Sequence, residues 1–460
     1  MMEFAKVEKL GEGTFGVVHK VVKKDEIFAM KKFRIFDNEG IMANNLRELT
    51  TIQELVHSNV VRLYEVYSDQ DREYAIYEYV ESDLYKLFKS HDPWNNPIPL
   101  DIIRQIMWDI LSGIAYIHSH GIIHRDLKSP NILYGNGVAK IADFGGSRYE
   151  ERGRKYTKNV ITPFWRPPEL FYGNKLYNEK VDMWSIGCIF GELFTLKPIF
   201  ETNSDIDILT KIFSILGSPS DPNWKGNIIQ GKGLEHIFPS EALSLAYGLL
   251  EIDPSKRVSA IQALGDPFFD GIRTQMEHPP SKMELVTNRW NSYKVRDWSA
   301  FQKDDKNYQI TLKMRMILFN WFLELRAEWK YSFNTTFHAM VISDSFLGKV
   351  KTTRQNLQLI GVTAMLIAAR MSEVVVQDVS AHSYMTDNTY SVLEITEKMK
   401  DILNVLSWYV PPLSIEEHLG SKNSIKNLFN LYISENGFNY NFSQLLEAAE
   451  LGENIPEVVR

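Results

Sequence analysis

Residues 121–133 read GIIHRDLKSPNIL. Asp126 lies in a loop between two apolar segments, with Lys128 two residues on and Asn131 five residues on. IADFGGSR (141–148) follows a short distance later and supplies a second aspartate, Asp143. Working back toward the start, GEGTFGVV (11–18) places Gly11, Gly13 and Gly16 between two strand patterns. Small residues let backbone amides approach phosphates closely. A dinucleotide-type glycine turn needs a helix next, but VVHKVV (17–22) alternates like a strand. FAMKKF (28–33) puts Lys31 on a strand and LRELTTI (46–52) puts Glu48 on a helix. Taken singly, these read as a turn, a solvated lysine and a surface glutamate.

The bulk properties bound the answer. A chain of 460 residues with 44% hydrophobic and 24% charged residues has an ordinary globular composition and room for two or three domains. A net charge of -7 argues against a broad nucleic-acid surface. One cysteine, Cys188, allows no internal disulfide, which suits a reducing compartment. The opening residues carry no signal-peptide pattern, and no run approaches the roughly 18 apolar residues that span a bilayer. An intracellular site, nuclear or cytoplasmic, with no membrane partner is the expectation.

The organisation changes along the chain. Residues 4–90 alternate as strands around one helical stretch, and 101–270 are mainly helical with loops rich in Gly, Asp and Pro. GIRTQMEHPPSKMELVTN is polar and contains Pro-Pro, so 271–289 reads as a linker. Residues 290–412 read as all-helical, and 413–460 as a short helical segment with a charged tail.

Together the motifs of the first part resemble the protein kinases: glycine loop, strand lysine, helix glutamate, HRDLKSPN, DFG and, in PPEL, a variant of APE. The resemblance covers residues 1–270 and implies a bilobal kinase fold, α+β, with a small lobe over 1–80 and a large lobe over 81–270. It implies phosphoryl transfer from ATP with Mg2+, a reaction catalysed by positioning and charge neutralisation. By that resemblance Lys31, held by Glu48, would grip the α- and β-phosphates. Asp143 and Asn131 would hold the metal, a hard cation suited to oxygen ligands. Asp126 would accept the proton of the substrate hydroxyl, and Lys128 would steady the γ-phosphate. The nucleotide would meet Gly11, Glu12, Gly13, Thr14, Gly16, Val18, Ala29 and Leu133. In IYEYV (76–80), Tyr77 stands as gatekeeper, with the Glu78 and Val80 backbones at adenine and Asp83 at ribose. Asp182 and the pair Glu169–Arg257 would be structural.

GEGTFGVVHK, MANNLRELTTIQEL and YTKNVITPFWRPPEL resemble the cyclin-dependent kinases more closely. In that family arginines at the positions of Arg47, Arg125 and Arg148 grip a phosphothreonine, and Thr157 occupies the acceptor position. Phe15 stands where the family carries a regulatory tyrosine. Ile161 and the following PFWRPPE loosely follow the pattern of kinases that prefer proline after the acceptor.

Such kinases need a cyclin, and residues 290–412 resemble one. MRMILFNWFLEL (314–325), NTTFHAMVISDSFL (334–347) and LQLIGVTAMLIAARMSE (357–373) match the first three helices of a cyclin box, and 386–412 the fourth and fifth. The family's activating lysine is Arg370 here, and the glutamate expected on helix five is Met399. Arg370 would bond carbonyls of the kinase helix, with Ile367, Met371 and Trp408 supplying apolar contact. The last 48 or so residues are too few for a second cyclin repeat. Met314, Leu318 and Trp321, with Leu357 and Gln358, stand where cyclins hold an exposed groove for basic-x-leucine substrate motifs, and Glu324 where the basic residue docks. The plainer reading makes all of these core; both place Ile317, Phe322 and Leu325 inward. The expected partners are protein substrates and the chain's own cyclin-like domain. Two rivals stay open: a cyclin box that docks substrates or a separate kinase, and a non-catalytic scaffold.

Overall fold

Strand-like alternation over residues 5–33 and 63–78 becomes one antiparallel sheet in the computed structural model. Its strands are β1 (Ala5–Gly13), β2 (Gly16–Lys23), β3 (Glu26–Phe33), β4 (Leu63–Asp69) and β5 (Arg72–Glu78), in the order β1-β2-β3-β5-β4. Side chains alternate across a strand. Ala29 and Lys31 therefore share a face with their cross-strand partners Tyr77 and Ala75. Met30 and Ile76 point the other way, into a small core with Val21 and Tyr74. The structure describes residues 4–13, 16–34, 39–69, 72–150, 156, 161–219, 228–272, 289, 310–413, 428 and 432.

Helix α1 (Ala43–Glu54) is unusual in burying every residue from Asn45 to Ile52. A surface helix buries one stripe; this one is covered by the sheet on one side and by the second domain on another. Its first turn has no side-chain cap, so its entry is held by other means, described below.

The large lobe carries α2 (Leu84–Lys89), α3 (Leu100–Ser119), α4 (Pro168–Phe171), α5 (Lys180–Thr195), α6 (Asp205–Leu216), α7 (Leu243–Leu249) and α8 (Ala260–Leu264). Short strands β6 (Ser82–Asp83), β8 (Ile132–Gly135) and β9 (Val138–Ile141) form a three-stranded sheet. The pair β7 (Ile122–Ile123) and β10 (Arg148–Tyr149) brackets the loop that carries Asp126. Helix α5 is buried from Val181 to Leu193 and forms the axis of this lobe.

The second domain packs α9 (Leu312–Trp329), α10 (Phe333–Lys349), α11 (Leu357–Ser372), α12 (Val379–Tyr384) and α13 (Val392–Val405). Helix α11 lies at its centre, buried from Leu359 through Ser372. Gly361 lets α9 approach, since a Cβ there would fall 2.5 Å from Leu318 Cδ1. Arg315 and Asp344, both fully buried, pair at 2.8 and 2.6 Å, and Tyr432 from the tail adds its hydroxyl to Asp344 at 2.8 Å. The fourth helix differs from expectation. It is α12, capped by Asp378, and it ends before Thr386. The stretch from Thr386 is a turn until Ser391 starts α13 through a reciprocal cap with Glu394.

Candidate active site

The cleft lies between the sheet and the large lobe. Gly16 has to be glycine, because a Cβ would fall 2.4 Å from the Lys32 carbonyl oxygen, whereas Gly11 and Gly13 face open space. Val18 and Ala29 lie on β2 and β3, and Leu133 lies on β8. Glu12 is tied to Lys9 at 2.6 Å and to Arg34, and these bonds hold its carboxyl below the usual range. Asp83 caps α2, accepting from the Lys86 amide at 2.9 Å. The Glu78 carboxylate pairs with Lys140 at 3.0 Å, and Val80 follows β5 at the lobe boundary. Thr14 and Phe15 lie outside the described residues.

Lys31 Nζ donates to both carboxylate oxygens of Glu48, at 2.7 and 2.6 Å, and lies 3.9 Å from Asp143. Burial alone would pull the Lys31 ammonium down, but Glu48 and then Asp143 outweigh it and hold it above its ordinary value. For Glu48 burial wins and pushes the carboxyl up, against the pull of Lys31. On Asp143 burial is likewise the largest influence, yet Lys31 and His124 together keep its pKa low. The three groups form one cluster, with the Lys31 ammonium between two carboxylates.

Asp126 sits on a rigid base. Fully buried Asp182, on α5, accepts from the His124 and Arg125 amides at 2.8 Å each and lies 2.9 Å from His118 Nε2. That grip holds the loop at a positive φ of 64° for Arg125, a strained conformation of the sort found at functional sites. Lys128 Nζ donates to Asp126 Oδ2 at 2.7 Å, and Thr162 Oγ1 to Oδ1 at 2.8 Å. Lys128 also reaches Thr162 at 3.2 Å, a residue the sequence reading did not pick out. Asn131 Nδ2 donates to the Asp126 carbonyl at 2.8 Å. Glu169 and Arg257 form a two-bonded pair at 2.8 and 3.0 Å.

The donor set suits a nucleotide-borne magnesium. Asp143 offers a charged carboxylate, and with the Asn131 amide nitrogen spent on Asp126 its amide oxygen is the atom that would face a metal. One carboxylate and one amide leave the remaining positions to phosphates and water, as Mg2+ prefers.

Arg47, Arg125 and Arg148 are all hydrogen-bonded, and their partners were not foreseen. Arg47 Nη1 donates to the Arg370 carbonyl at 2.6 Å, and Arg148 Nη1 to the Met371 carbonyl at 2.9 Å. Arg148 also reaches the Glu373 carbonyl at 3.3 Å. All three acceptors belong to the end of α11, where helix carbonyls carry partial negative charge. Arg125 donates to the Gly146 carbonyl at 2.8 Å and to the Tyr177 hydroxyl at 3.0 Å. Thr157 lies outside the described residues.

Arg370 answers from the other direction. Its guanidinium donates to the Glu39 carbonyl at 2.7 Å and to the Ile41 carbonyl, the two residues that lead into α1. Met399, fully buried, lies 3.7 Å from the same guanidinium. The Trp408 carbonyl accepts from Gln53 at 3.0 Å, and its ring lines a small gap with Ile41, Asn45 and Leu49. Ile367 and Met371 are buried on α11. Sequence reasoning missed Arg289, which it counted as the last linker residue. Arg289 is buried, bonds Glu54 at 3.1 Å and the His120 carbonyl at 2.8 Å, and stacks on Tyr149. Tyr409 bonds the same Glu54 at 3.1 Å. Basic residues in a polar stretch give no local sign of such a junction.

On the outer face of α9 a cavity of about 250 Å3 is lined by Met314, Ile317, Leu318, Trp321, Arg354, Leu357 and Gln358. Phe322 and Leu325 are fully buried as expected. Ile317 is not: it is 61% exposed and belongs to the cavity. The reason is helical period, since Met314, Ile317, Leu318 and Trp321 fall at i, i+3, i+4 and i+7. Glu324 is exposed a turn further on, outside the lining.

Among the described residues no helix is long and apolar enough to cross a membrane. Residues 4–269 match the family model "Protein kinase domain", and residues 288–411 match "Cyclin, N-terminal domain". The chain is 37% identical over 307 residues to the serine/threonine-protein kinase ICK of Rattus norvegicus, covering 61% of this chain and 48% of that one. The chain thus spans about half the length of that curated relative. With an unbroken Lys31–Glu48–Asp143 cluster and a cyclin domain against its α1 helix, the chain belongs to the protein kinase family, as a protein kinase domain followed in the same chain by a cyclin N-terminal domain.

Proposed function

We propose that this chain is a cyclin-dependent-type kinase that carries its own activator. It transfers the ATP γ-phosphate to serine or threonine, preferentially with proline following, and its cyclin domain holds α1 inward in cis. The observation that carries this reading is the Arg370 guanidinium on the Glu39 and Ile41 carbonyls while Glu48, halfway along the helix that follows, grips Lys31. In the roles argued for them, Asp126 takes the hydroxyl proton, Lys128 and Lys31 neutralise phosphate charge, and Asp143 and Asn131 hold Mg2+. The purified 460-residue chain should phosphorylate a Ser-Pro peptide with no cyclin added. Activity only after a separate cyclin or kinase is supplied would favour the docking-module alternative.

Thr157 remains the proposed activating phosphoacceptor. Arg47 and Arg148 already donate to carbonyls at the end of α11. The cyclin domain therefore supplies part of the negative environment that a phosphothreonine would otherwise bring. Phosphorylation would add to a junction already in place.

The α9 cavity supports a docking groove for substrates of basic-x-leucine type, with Leu318 and Leu357 forming a floor that is largely buried. Trp321 is half-buried at its wall. Trp321→Ala should weaken phosphorylation of motif-bearing proteins about ten-fold, the loss of one aromatic anchor, while short peptides lacking the motif are phosphorylated as before. Equal loss on both substrates would make Trp321 a core residue only.

A further inference from the structure

The Lys31–Glu48 pair has a third partner. Tyr77, on β5, directs its hydroxyl at Glu48 and donates to Oε1 at 2.9 Å, the same oxygen that accepts from Lys31 at 2.7 Å. Tyr77 is 8% exposed and Glu48 is 3% exposed. The sheet register places Tyr77 opposite Ala29 and two residues beyond Ala75, the partner of Lys31, so both polar side chains emerge on one face. A phenylalanine would fill the same volume and give Glu48 nothing. The hydroxyl meets the one carboxylate that must stay inward for Lys31 to be held.

We propose that Tyr77 is a positioning residue for phosphoryl transfer: its hydroxyl holds the Glu48 carboxylate on Lys31, so that the sheet helps to fix α1 inward. Hydrogen bonds to a buried charged acceptor are the strong ones, and Tyr77 supplies one to a group whose burial disfavours its charge. The inference rests on the kinase assignment and is independent of what the cyclin domain does.

The test is Tyr77→Phe in the 460-residue chain. We expect unchanged folding, read by thermal unfolding, and kcat about ten-fold lower, as one charge-assisted bond supports. A double-mutant comparison separates positioning from packing. In a Glu48→Gln background Tyr77→Phe should cost far less than it does in the wild type. Tyr77→Met, which keeps bulk without a hydroxyl, should lower kcat as Tyr77→Phe does. An unchanged kcat in Tyr77→Phe, or an equal loss in both backgrounds, would overturn the proposal. Wild-type protein with no kinase activity at all would instead count against the kinase assignment.

Discussion

Asp126→Asn should lower kcat by about three decades while the protein keeps its fold and its affinity for ATP. A positioned general base contributes on the order of 10²–10⁴-fold, and the asparagine amide cannot take the proton. The neighbours make the reading clean. Lys128 and Thr162 both donate to the Asp126 carboxylate, at 2.7 and 2.8 Å, and they fix its oxygens where a substrate hydroxyl would arrive. An asparagine keeps one acceptor oxygen for them, so the loop stays in place and the loss is chemical. Single-turnover phosphorylation of a Ser-Pro peptide reads the effect directly. Ordinary turnover by the variant would remove Asp126 from the role of base.

Arg370→Ala should lower activity roughly 30- to 100-fold with both domains still folded. The α1 entry lacks a side-chain cap, and the Arg370 guanidinium anchors it by donating to the Glu39 and Ile41 carbonyls just before the helix. A bond to a charged donor contributes about 1.5–3 kcal/mol, and about 3 kcal/mol shifts a two-state helix position more than a hundred-fold. Burial pulls the Arg370 guanidinium down to about 10, so it stays charged at neutral pH and the loss should not depend on pH between 6 and 8. Arg370→Lys retains a point charge but fewer fixed donors and should recover part of the activity. An alanine variant as active as the wild type would mean that α1 is held inward without the cyclin domain.

The catalytic constellation was legible because its signals are local. HRDLKSPN places Asp126, Lys128 and Asn131 within six residues, and DFG adds Asp143 a short distance on. The small lobe was equally readable, since a period of two fixes which side chains share a face with Lys31. Central burial of α11 showed in its small residues, Gly361 and Ala364 among them. What did not show were bonds between distant positions. Arg47 and Arg148 meet carbonyls of residues 370–373, and backbone acceptors carry no side-chain signature. Arg289 reaches Glu54 from a segment read as tether. Tyr77 was placed as a gatekeeper, but the target of its hydroxyl needed coordinates. Ile317 was assigned inward although its period put it beside Met314 and Trp321. The early boundary of α12 depended on Asp378 as a cap, a residue that could equally have sat in a loop.

Activation in cis makes one demand that activation between chains does not. With both domains in one chain, a contact in cis holds the cyclin domain at an effective concentration of order millimolar. Specific activity measured from micromolar to sub-nanomolar enzyme should therefore stay constant, and adding excess free protein comprising residues 290–460 should not change it. A fall in specific activity on dilution, restored by the added cyclin domain, would contradict the account and assign activation to contacts between chains.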